Sequence, residues 1–345
     1  MNGKIFIMDN NFERLKEWVD HRRFPSFRAK QILEWLNKGT INPEQMTNIP
    51  KNIRDALSED FVTDSFRVVE EWTSEKDGTK KWLFELHDGH RIETVLMPYS
   101  TGLSVCISSQ AGCKMGCSFC ASAKAGFGRD LTCGELLAQV TLPSALVNER
   151  ISRVVIMGIG EPFDNFEQLK RFFRMINDES GPNIGARHIT VSTCGLIPQM
   201  IEFMCIGMQV NLAVSLHASN DLLRRQLMPI AHRYPLNELI DACRQYVEKT
   251  GRRITFEYAL LAGVNDTDEQ ARELARLLRG IHCHINLIAA NEFPGGAYKK
   301  SSKERVVSFM SVLEKNKMTV TLRREMGSDI MAACGQLRRG MQETL

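Results

Sequence analysis

The chain has 345 residues, 43% of them hydrophobic and 25% charged, which fits a globular protein with one large domain and a smaller one. No apolar run reaches the roughly 18 residues of a membrane span, and the first residues do not resemble a signal peptide, so a cytoplasmic location is expected. With a net charge of +3, the protein as a whole is not a polycation. Residues 299–345 nevertheless carry ten Lys or Arg and five acidic residues, which fits either contact with phosphates or a solvated helix face.

The first sixty residues are predicted to be helical. Phe12, Leu15 and Val19 share one face at helical spacing, which predicts an amphipathic helix. A second helix is predicted to begin after Pro25 and to end near Gly39. The pattern therefore indicates a small helical domain at the N-terminus.

A different pattern follows the helical region. Residues 66–72, 80–86 and 91–97 are predicted to be strands, joined by turns at Asp77-Gly78 and Asp88-Gly89. Asp-Gly between apolar alternations is the strongest short signal for a hairpin. An antiparallel meander is the expected structure.

From about residue 103 strands and helices alternate. The predicted strands are 103–107, 153–157, 188–192, 210–216, 253–259, 283–288 and 318–322. The predicted helices between them are 131–147, 165–177, 236–249, 267–279 and 302–315. Such alternation favours parallel strands with helical crossovers, and about six such units would form a full or partial barrel. Functional side chains are expected where the strands end.

Ten cysteines without a secretion signal favour thiol chemistry or metal binding over a disulfide framework. Cys113, Cys117 and Cys120 have C-x3-C-x2-C spacing within CISSQAGCKMGCSFC, and a glycine-rich loop at 125–128 follows them. Three thiolates at this spacing can hold a four-iron cluster and leave its fourth iron open to a small molecule. The cysteines therefore predict an iron–sulfur site.

A zinc site is the alternative, but zinc favours paired C-x2-C knuckles and no second knuckle is present in the sequence. Cys205, Cys243 and Cys283 lie among apolar or helical residues and are predicted to pack in the core. The cysteine spacing, just after the first strand of a β/α region, matches the radical-SAM superfamily. In that superfamily the open iron binds S-adenosylmethionine (SAM), and an electron from the cluster splits SAM into methionine and a 5′-deoxyadenosyl radical.

Further motifs make the resemblance specific. The chain resembles the RlmN/Cfr family of radical-SAM RNA adenine methyltransferases, and it is similar to RlmN-type members over essentially its full length. The blocks that carry the resemblance are IETVLMPY (92–99), CISSQAGCKMGCSFCAS (106–122), VVIMGIGEPFDN (154–165), ARHITVST (186–193), AVSLHA (213–218), LMPI (227–230), GVND (263–266), INLI (285–288) and AACGQL (332–337).

The resemblance implies a fold and a division of the chain. The fold is α/β, a radical-SAM partial (β/α)6 barrel with an N-terminal helical domain and a short antiparallel β extension. The implied parts are an N-terminal helical RNA-binding domain (1–62), an antiparallel β meander linker (63–98), the radical-SAM core (99–327) and a C-terminal segment with a methyl-accepting cysteine (328–345).

The resemblance also implies two cofactors and the residues that hold them. Cys113, Cys117 and Cys120 would hold a [4Fe-4S] cluster, and two SAM molecules would be used per turnover. The implied SAM contacts are Gly160, Glu161, Ser192, Ser215, Leu216, His217 and Asn291. Without the family, GxGE would more often be a strand-end turn, and His217 a structural histidine.

Three catalytic residues are implied as well. Cys334 would take a methyl group from the first SAM, and the radical from the second would convert it to a methylene radical that adds to adenine. Glu93 would accept the proton from the adenine carbon, and Cys106 would resolve the protein–RNA adduct and form a disulfide with Cys334. Each cysteine alone would otherwise be expected to be a buried thiol, and Glu93 a solvated charge.

The implied reaction is methylation of C2 of adenine 2503 in 23S rRNA and of adenine 37 in tRNA. The implied partners are these RNAs, with the rRNA naked or poor in protein, and an electron donor such as flavodoxin or ferredoxin. No membrane is implied, and the protein is expected to be a monomer. Cys194, Glu292 and Met331 depart from the residues common in the family and leave local substrate contacts open.

Three alternatives remain at this point. A Cfr-type enzyme would methylate C8 of the same rRNA adenine, although FGRDL (127–131) and NEFPGGAYKKSS (291–302) favour the RlmN type. A non-catalytic iron–sulfur RNA-binding protein would not need Glu93, Cys106 and Cys334 together. A radical-SAM enzyme acting on a small molecule or a peptide would not need the N-terminal helices or the basic C-terminal region.

Overall fold

The structure is a computed structural model that describes residues 4–124, 126–293, 295–332 and 336–337. Within these residues the helices are α1 (Phe12–His21), α2 (Phe27–Asn37), α3 (Lys51–Asp60), α4 (Ala121–Lys124), α5 (Cys133–Val147), α6 (Phe166–Asn177), α7 (Ile197–Phe203), α8 (Asp221–Leu227), α9 (Leu236–Thr250), α10 (Asp268–Leu277) and α11 (Lys303–Lys315). The strands are β1 (Arg67–Thr73), β2 (Lys80–Glu85), β3 (Arg91–Tyr99), β4 (Gly102–Cys106), β5 (Gln110–Gly112), β6 (Phe127–Asp130), β7 (Ile151–Ile156), β8 (Ile189–Thr193), β9 (Asn211–Ser215), β10 (Ile254–Leu260), β11 (Cys283–Ala289) and β12 (Val320–Leu322).

The N-terminal helices form as the apolar spacing predicts. Asn11 begins α1, because its side chain accepts a hydrogen bond from the backbone N–H of Arg14. Leu15 and Val19 are fully buried on one face of α1. The sequence did not single out α3, which is fixed to α1 by a hydrogen bond of 2.7 Å from the indole of Trp18 to the carboxylate of Asp60.

One ten-stranded sheet joins the meander to the parallel region, in the order β1-β2-β3-β4-β7-β8-β9-β10-β11-β12. The first three pairings are antiparallel, and every pairing from β4 to β12 is parallel. The strand β4 is therefore shared, since it pairs with β3 on one side and with β7 on the other. This continuity places the meander residues beside the carboxyl ends of the parallel strands.

The predicted fold is confirmed as a mixed α/β structure with six strand–helix units beginning with β4, within the described residues. The sheet has open edges at β1 and β12, so the barrel is partial. Helices α5 and α10 begin with capping boxes, which explains why their first turns are well defined. Among the residues that the structure describes, none of the helices is long and apolar enough to cross a membrane.

Two local predictions are wrong. Part of the glycine-rich loop at 125–128 belongs to β6, which pairs with β5, since Gly112 lies opposite Phe127. Cys205 is exposed near the end of α7, whereas Cys243 and Cys283 are buried as predicted. The prediction for Cys205 failed because α7 ends at Phe203, so the cysteine does not lie on a helix face that meets the core.

Candidate active site

The three predicted cluster cysteines lie on the loop that follows β5. The loop is held at both ends, because the N–H of Cys113 donates to the carbonyl of Gly126 (3.0 Å) and that of Ser118 to the carbonyl of Leu227 (2.9 Å). Gly112 has φ +93°, and a β-carbon there would collide with the carbonyl oxygen of Gly126. A glycine is therefore required where the chain turns into the cysteine loop.

Cys113, Cys117 and Cys120 line the same cavity. Burial raises the pKa of Cys113 to about 12, and it raises the pKa of Cys117 as well. Negative charge on Cys120 further raises the pKa of Cys113 and that of Cys117. Ionised thiols in this position therefore need a positive partner such as iron.

Three thiols that line one cavity match the protein ligands of a four-iron cluster. Among the described residues no group of three His, Cys, Asp or Glu side chains converges on one point, as a mononuclear zinc site requires. In a four-iron cluster each thiolate binds a different iron, so three thiols around one cavity are sufficient.

Gly160 and Glu161 face this cavity after the end of β7. Gly160 has φ +106°, and a β-carbon there would lie 2.7 Å from the β-carbon of Gln110. The carboxylate of Glu161 accepts hydrogen bonds from the backbone N–H groups of Cys194 (2.7 Å) and Phe163 (3.0 Å). Burial nevertheless raises the pKa of Glu161. Gly160 thus allows its loop to pack against Gln110. The carboxylate of Glu161 is a buried hydrogen-bond acceptor that lines the same cavity as the thiols.

The remaining predicted SAM contacts lie around the same space, with one difference. Ser192 and Ser215 line the cavity with their hydroxyl oxygens 3.4 Å apart, and Asn291 also lines it. His217 lines the cavity too, and its Nδ1 accepts from the N–H of Ala259 at 2.9 Å. Leu216 instead packs in the main hydrophobic core, and its backbone N–H donates to the carbonyl of Glu257 at 3.0 Å.

His217 has two features of a constrained residue. Its φ of +55° is unusual for a residue with a side chain. Burial lowers its pKa to about 3, so the ring is neutral at physiological pH. Because Nδ1 accepts a hydrogen bond, the ring proton lies on Nε2.

A second group of predicted residues lies on one face of β2, β3 and β4. Cys106 pairs with Val95 across β3 and β4, and Glu93 lies two residues before Val95 on the same face. Val95 and Cys106 pack against the C-terminal residues Ala332 and Leu337. Cys334, the predicted methyl carrier, lies outside the described residues, between Ala332 and Leu337 in the chain.

The cavity beside Cys106 adjoins the cavity of the cluster cysteines. Cys106, Ala332 and Leu337 line the former. Four residues line both cavities, namely Met157, Ile288, Asn291 and Arg323. A molecule in the cysteine-lined space would therefore be next to Cys106 and to the C-terminal segment.

Glu93 is not the solvated charge that its residue type alone predicts. It is the third residue of β3, is 6% exposed and forms an ion pair with Lys81 at 3.0 Å. The carboxylate is therefore buried in the sheet face that carries Cys106.

Comparisons with known proteins agree with this geometry. The chain matches the family model of the radical SAM superfamily over residues 107–278, and that of the ribosomal RNA large subunit methyltransferase N-terminal domain over residues 5–62. It is 50% identical to a probable dual-specificity RNA methyltransferase RlmN of Clostridium perfringens strain 13, over 96% of each chain. The chain belongs to the RlmN-type radical-SAM methyltransferase family.

Other relatives extend the match. A protein of Clostridium tetani with the same name is 49% identical over 98% of this chain and 97% of its own. The crystal structure of a radical SAM methyltransferase from Sphaerobacter thermophilus superposes with a TM-score of 0.93 at 44% identity, covering 96% of this chain and 99% of that one. Membership in the RlmN-type family implies an iron–sulfur cluster and SAM as cofactors.

Three residues depart from those common in the family, and each makes a hydrogen bond through its backbone; they are Cys194, Glu292 and Met331. The N–H of Cys194 donates to Glu161, and the carbonyl of Glu292 accepts from the side chain of Gln336 at 2.8 Å. The carbonyl of Met331 accepts from Lys81 at 3.4 Å. These contacts do not depend on the side chain at the three positions.

Sequence reasoning missed two buried charges at the site. Glu257 lines the cavity at 4% exposure, and its carboxylate accepts from the side-chain amide of Asn286 at 2.9 Å. Arg224 is fully buried, and one of its terminal nitrogens donates to the carbonyl of Cys194 at 2.6 Å. An acid inside the apolar strand ITFEYAL was the available signal for Glu257, whereas Arg224 gave none.

Proposed function

We propose that this protein methylates C2 of adenine 2503 in 23S rRNA and of adenine 37 in tRNA. One observation carries the proposal: the cavity lined by three cysteines adjoins a second cavity lined by Cys106 and by residues on both sides of Cys334. The dual-specificity name of the relatives supports a reaction on two kinds of RNA.

The proposed cofactor site follows from the first cavity. Cys113, Cys117 and Cys120 bind a [4Fe-4S] cluster, which supplies the electron that cleaves SAM. Glu161 accepts the ammonium group of SAM, since its carboxylate is buried beside the thiols. The other residues proposed to hold SAM are Gly160, Ser192, Ser215, Leu216, His217 and Asn291.

The proposed chemistry uses the second cavity. Cys334 receives a methyl group from one SAM by displacement, and a second SAM supplies the radical that removes a hydrogen atom from it. The adenine carbon is not a nucleophile, so a carbon radical is needed to form the new bond. The adduct would give up one electron, for which the cluster would be the acceptor, and Glu93 accepts the proton of that carbon. The Cys106 thiol then attacks the Cys334 sulfur, so the carbon–sulfur bond breaks, the released carbon takes up a proton to become the methyl group, and a transient disulfide forms.

We propose that residues 1–62 and the basic C-terminal region contact RNA. Residues 63–98 connect the first of these regions to the radical-SAM core at 99–327, and residues 328–345 carry the methyl-accepting cysteine. The protein would act in the cytoplasm as a monomer, with a flavodoxin or ferredoxin as electron donor.

Nucleoside mass spectrometry of rRNA and tRNA from a deletion strain tests the proposal. Both RNAs should lack 2-methyladenosine and regain it when the wild-type gene is restored. The gene with Cys334→Ala is the matched control and should not restore it. Loss of 8-methyladenosine instead would contradict the C2 assignment and favour the Cfr type.

A further inference from the structure

Lys81 and Glu93 form a buried ion pair on neighbouring strands of the meander. The ammonium nitrogen lies 3.0 Å from a carboxylate oxygen, and each side chain is only 7% exposed. Lys81 is directly opposite Val95 in β3, and Val95 is directly opposite Cys106 in β4. The pair therefore lies in the same row of side chains as Cys106.

Lys81 makes two further contacts that fix its position. Its ammonium lies 4.4 Å from the ring centre of Trp72, within range of a cation–π interaction. It also lies 3.4 Å from the carbonyl oxygen of Met331. Met331 has φ +51° and lies three residues before Cys334. The ammonium group of Lys81 therefore contacts both Glu93 and the C-terminal segment.

Stability alone does not account for this ion pair. Desolvation of two buried charges offsets most of their attraction, and apolar residues of similar size commonly stabilise a fold as well or better. A positive charge beside a carboxylate does, however, favour its ionised form, and only an ionised carboxylate can accept a proton. The location of the pair, between Cys106 and the segment of Cys334, is where such an acceptor is needed.

We propose that Lys81 is a positioning residue for proton transfer: it keeps the Glu93 carboxylate ionised and in place. The inference rests on the proposed function, in which the proton of the adenine carbon passes to the Glu93 carboxylate. Lys81 itself neither gains nor loses a covalent bond, and it acts through Glu93, while the Met331 carbonyl and Trp72 fix the position of its ammonium group.

The test compares Lys81→Met with Lys81→Arg in the full-length enzyme reconstituted with its cluster. Lys80→Met is the matched control, because Lys80 is the adjacent residue, points to the opposite face of the sheet and forms a more exposed ion pair with Glu71 (2.8 Å). Four products are measured: methylated Cys334 peptide, 5′-deoxyadenosine, 2-methyladenosine and RNA covalently attached to the protein.

Lys81→Met should still methylate Cys334 and cleave SAM, because neither step uses Glu93. Formation of 2-methyladenosine should fall about a hundredfold, the lower end of what a positioned proton acceptor contributes. Protein–RNA adduct should accumulate in its place. Lys81→Arg should restore most of the 2-methyladenosine, and Lys80→Met should match the wild type in all four products.

Two results would overturn the inference. One is wild-type formation of 2-methyladenosine by Lys81→Met. The other is a parallel loss of Cys334 methylation and of the later products in both Lys81 variants, which would mean that Lys81 only maintains the fold. If the wild type itself gave no methylated Cys334, the proposed function would fail, and the role of Lys81 with it.

Discussion

Val95 of β3 is paired with Cys106 of β4, and both pack beneath Ala332 and Leu337 of the C-terminal segment. The pairing fixes the direction of the Cys106 side chain, because residues directly opposite in adjacent strands point to the same face of the sheet. The segment is also tied at its far end, where the hydroxyl of Ser122 donates to the carbonyl of Leu337 at 2.8 Å. Cys106 is thus packed against described residues that precede and follow Cys334 in the chain.

This relationship predicts different outcomes for the two cysteines. Cys334→Ala should bind SAM and iron but form no methyladenine, because no sulfur remains to carry the methyl group. Cys106→Ala should form the bond to adenine and then stop, because no thiol resolves the adduct. Gel electrophoresis with and without nuclease, followed by peptide mass spectrometry, should show RNA attached through Cys334 only in Cys106→Ala.

A stability effect cannot produce that contrast, since it would reduce activity in either variant without trapping RNA. Cys243→Ser, at another buried thiol, controls for general damage to the core. Normal turnover by Cys106→Ala would rule out the resolving role.

The cluster cysteines give a second prediction. Protein purified without oxygen should be brown and contain about four irons per chain, because three thiolates can anchor one cubane. The combined replacement of Cys113, Cys117 and Cys120 by Ala should abolish colour and iron, measured by absorbance and metal analysis. Cys205→Ala, at an exposed cysteine, should change neither. Stoichiometric zinc in place of iron would refute the cluster.

Glu161 gives a prediction on pH. Burial raises its pKa, and only the carboxylate attracts the ammonium group of SAM. Affinity for SAM should therefore fall as the pH drops through this raised pKa. Glu161→Gln should bind SAM about tenfold or more weakly, the contribution of one charge-assisted hydrogen bond, and should lose the pH dependence.

Equilibrium dialysis of labelled SAM across mildly acidic to neutral pH measures both effects. Glu179→Gln, at an exposed acid, should behave as the wild type. An unchanged pH profile in Glu161→Gln would assign the dependence to another group.

Gly160 gives a prediction on stability. The φ of Gly160 is +106°, a backbone conformation that disfavours any residue with a side chain. The position is also crowded, because a β-carbon there would lie 2.7 Å from the β-carbon of Gln110. Gly160→Ala should lower the free energy of unfolding by about 1–3 kcal/mol from crowding, in addition to backbone strain. Gly207→Ala is the matched control, because Gly207 has φ +72° and no neighbouring atom within 4 Å of where its β-carbon would lie. Equal losses in urea unfolding would mean that crowding against Gln110 is unimportant.

RNA binding gives the last prediction. Arg338 and Arg339 lie outside the described residues, in the basic C-terminal region. Their joint replacement by Ala should weaken RNA binding and reduce the slope of log affinity against log salt by roughly 1 for each phosphate that the protein no longer neutralises. Filter binding over a salt series measures this, with iron content and SAM affinity expected to stay normal.

An unchanged slope would place the RNA path elsewhere, and the N-terminal helices offer Arg23 and Lys30 as alternative cations. Lys30 is exposed on α2, and Arg23 is exposed just after α1. Arg22 is less available, because it is paired with Asp60 and Glu59.

The sequence by itself determined most elements of the fold. All three meander strands and all seven parallel strands lie within a few residues of their predicted positions, since alternation and Asp-Gly turns are local signals. The spacing of the cluster cysteines is local in the same way. The short helices α7 and α8 were missed, because seven residues are too few for a helical period to stand out against apolar runs.

Only the tertiary structure decided how distant residues meet. The pairing of Lys81 with Glu93 and the position of Cys106 under the C-terminal segment depend on sheet register and on the packing of Ala332 and Leu337. Register is set by contacts between strands, and a shift of one residue would turn Glu93 and Cys106 to opposite faces. The composition and spacing of each strand would be the same in the observed register and in the shifted one. The sequence pattern could therefore identify these residues, but it could not show that they share one site.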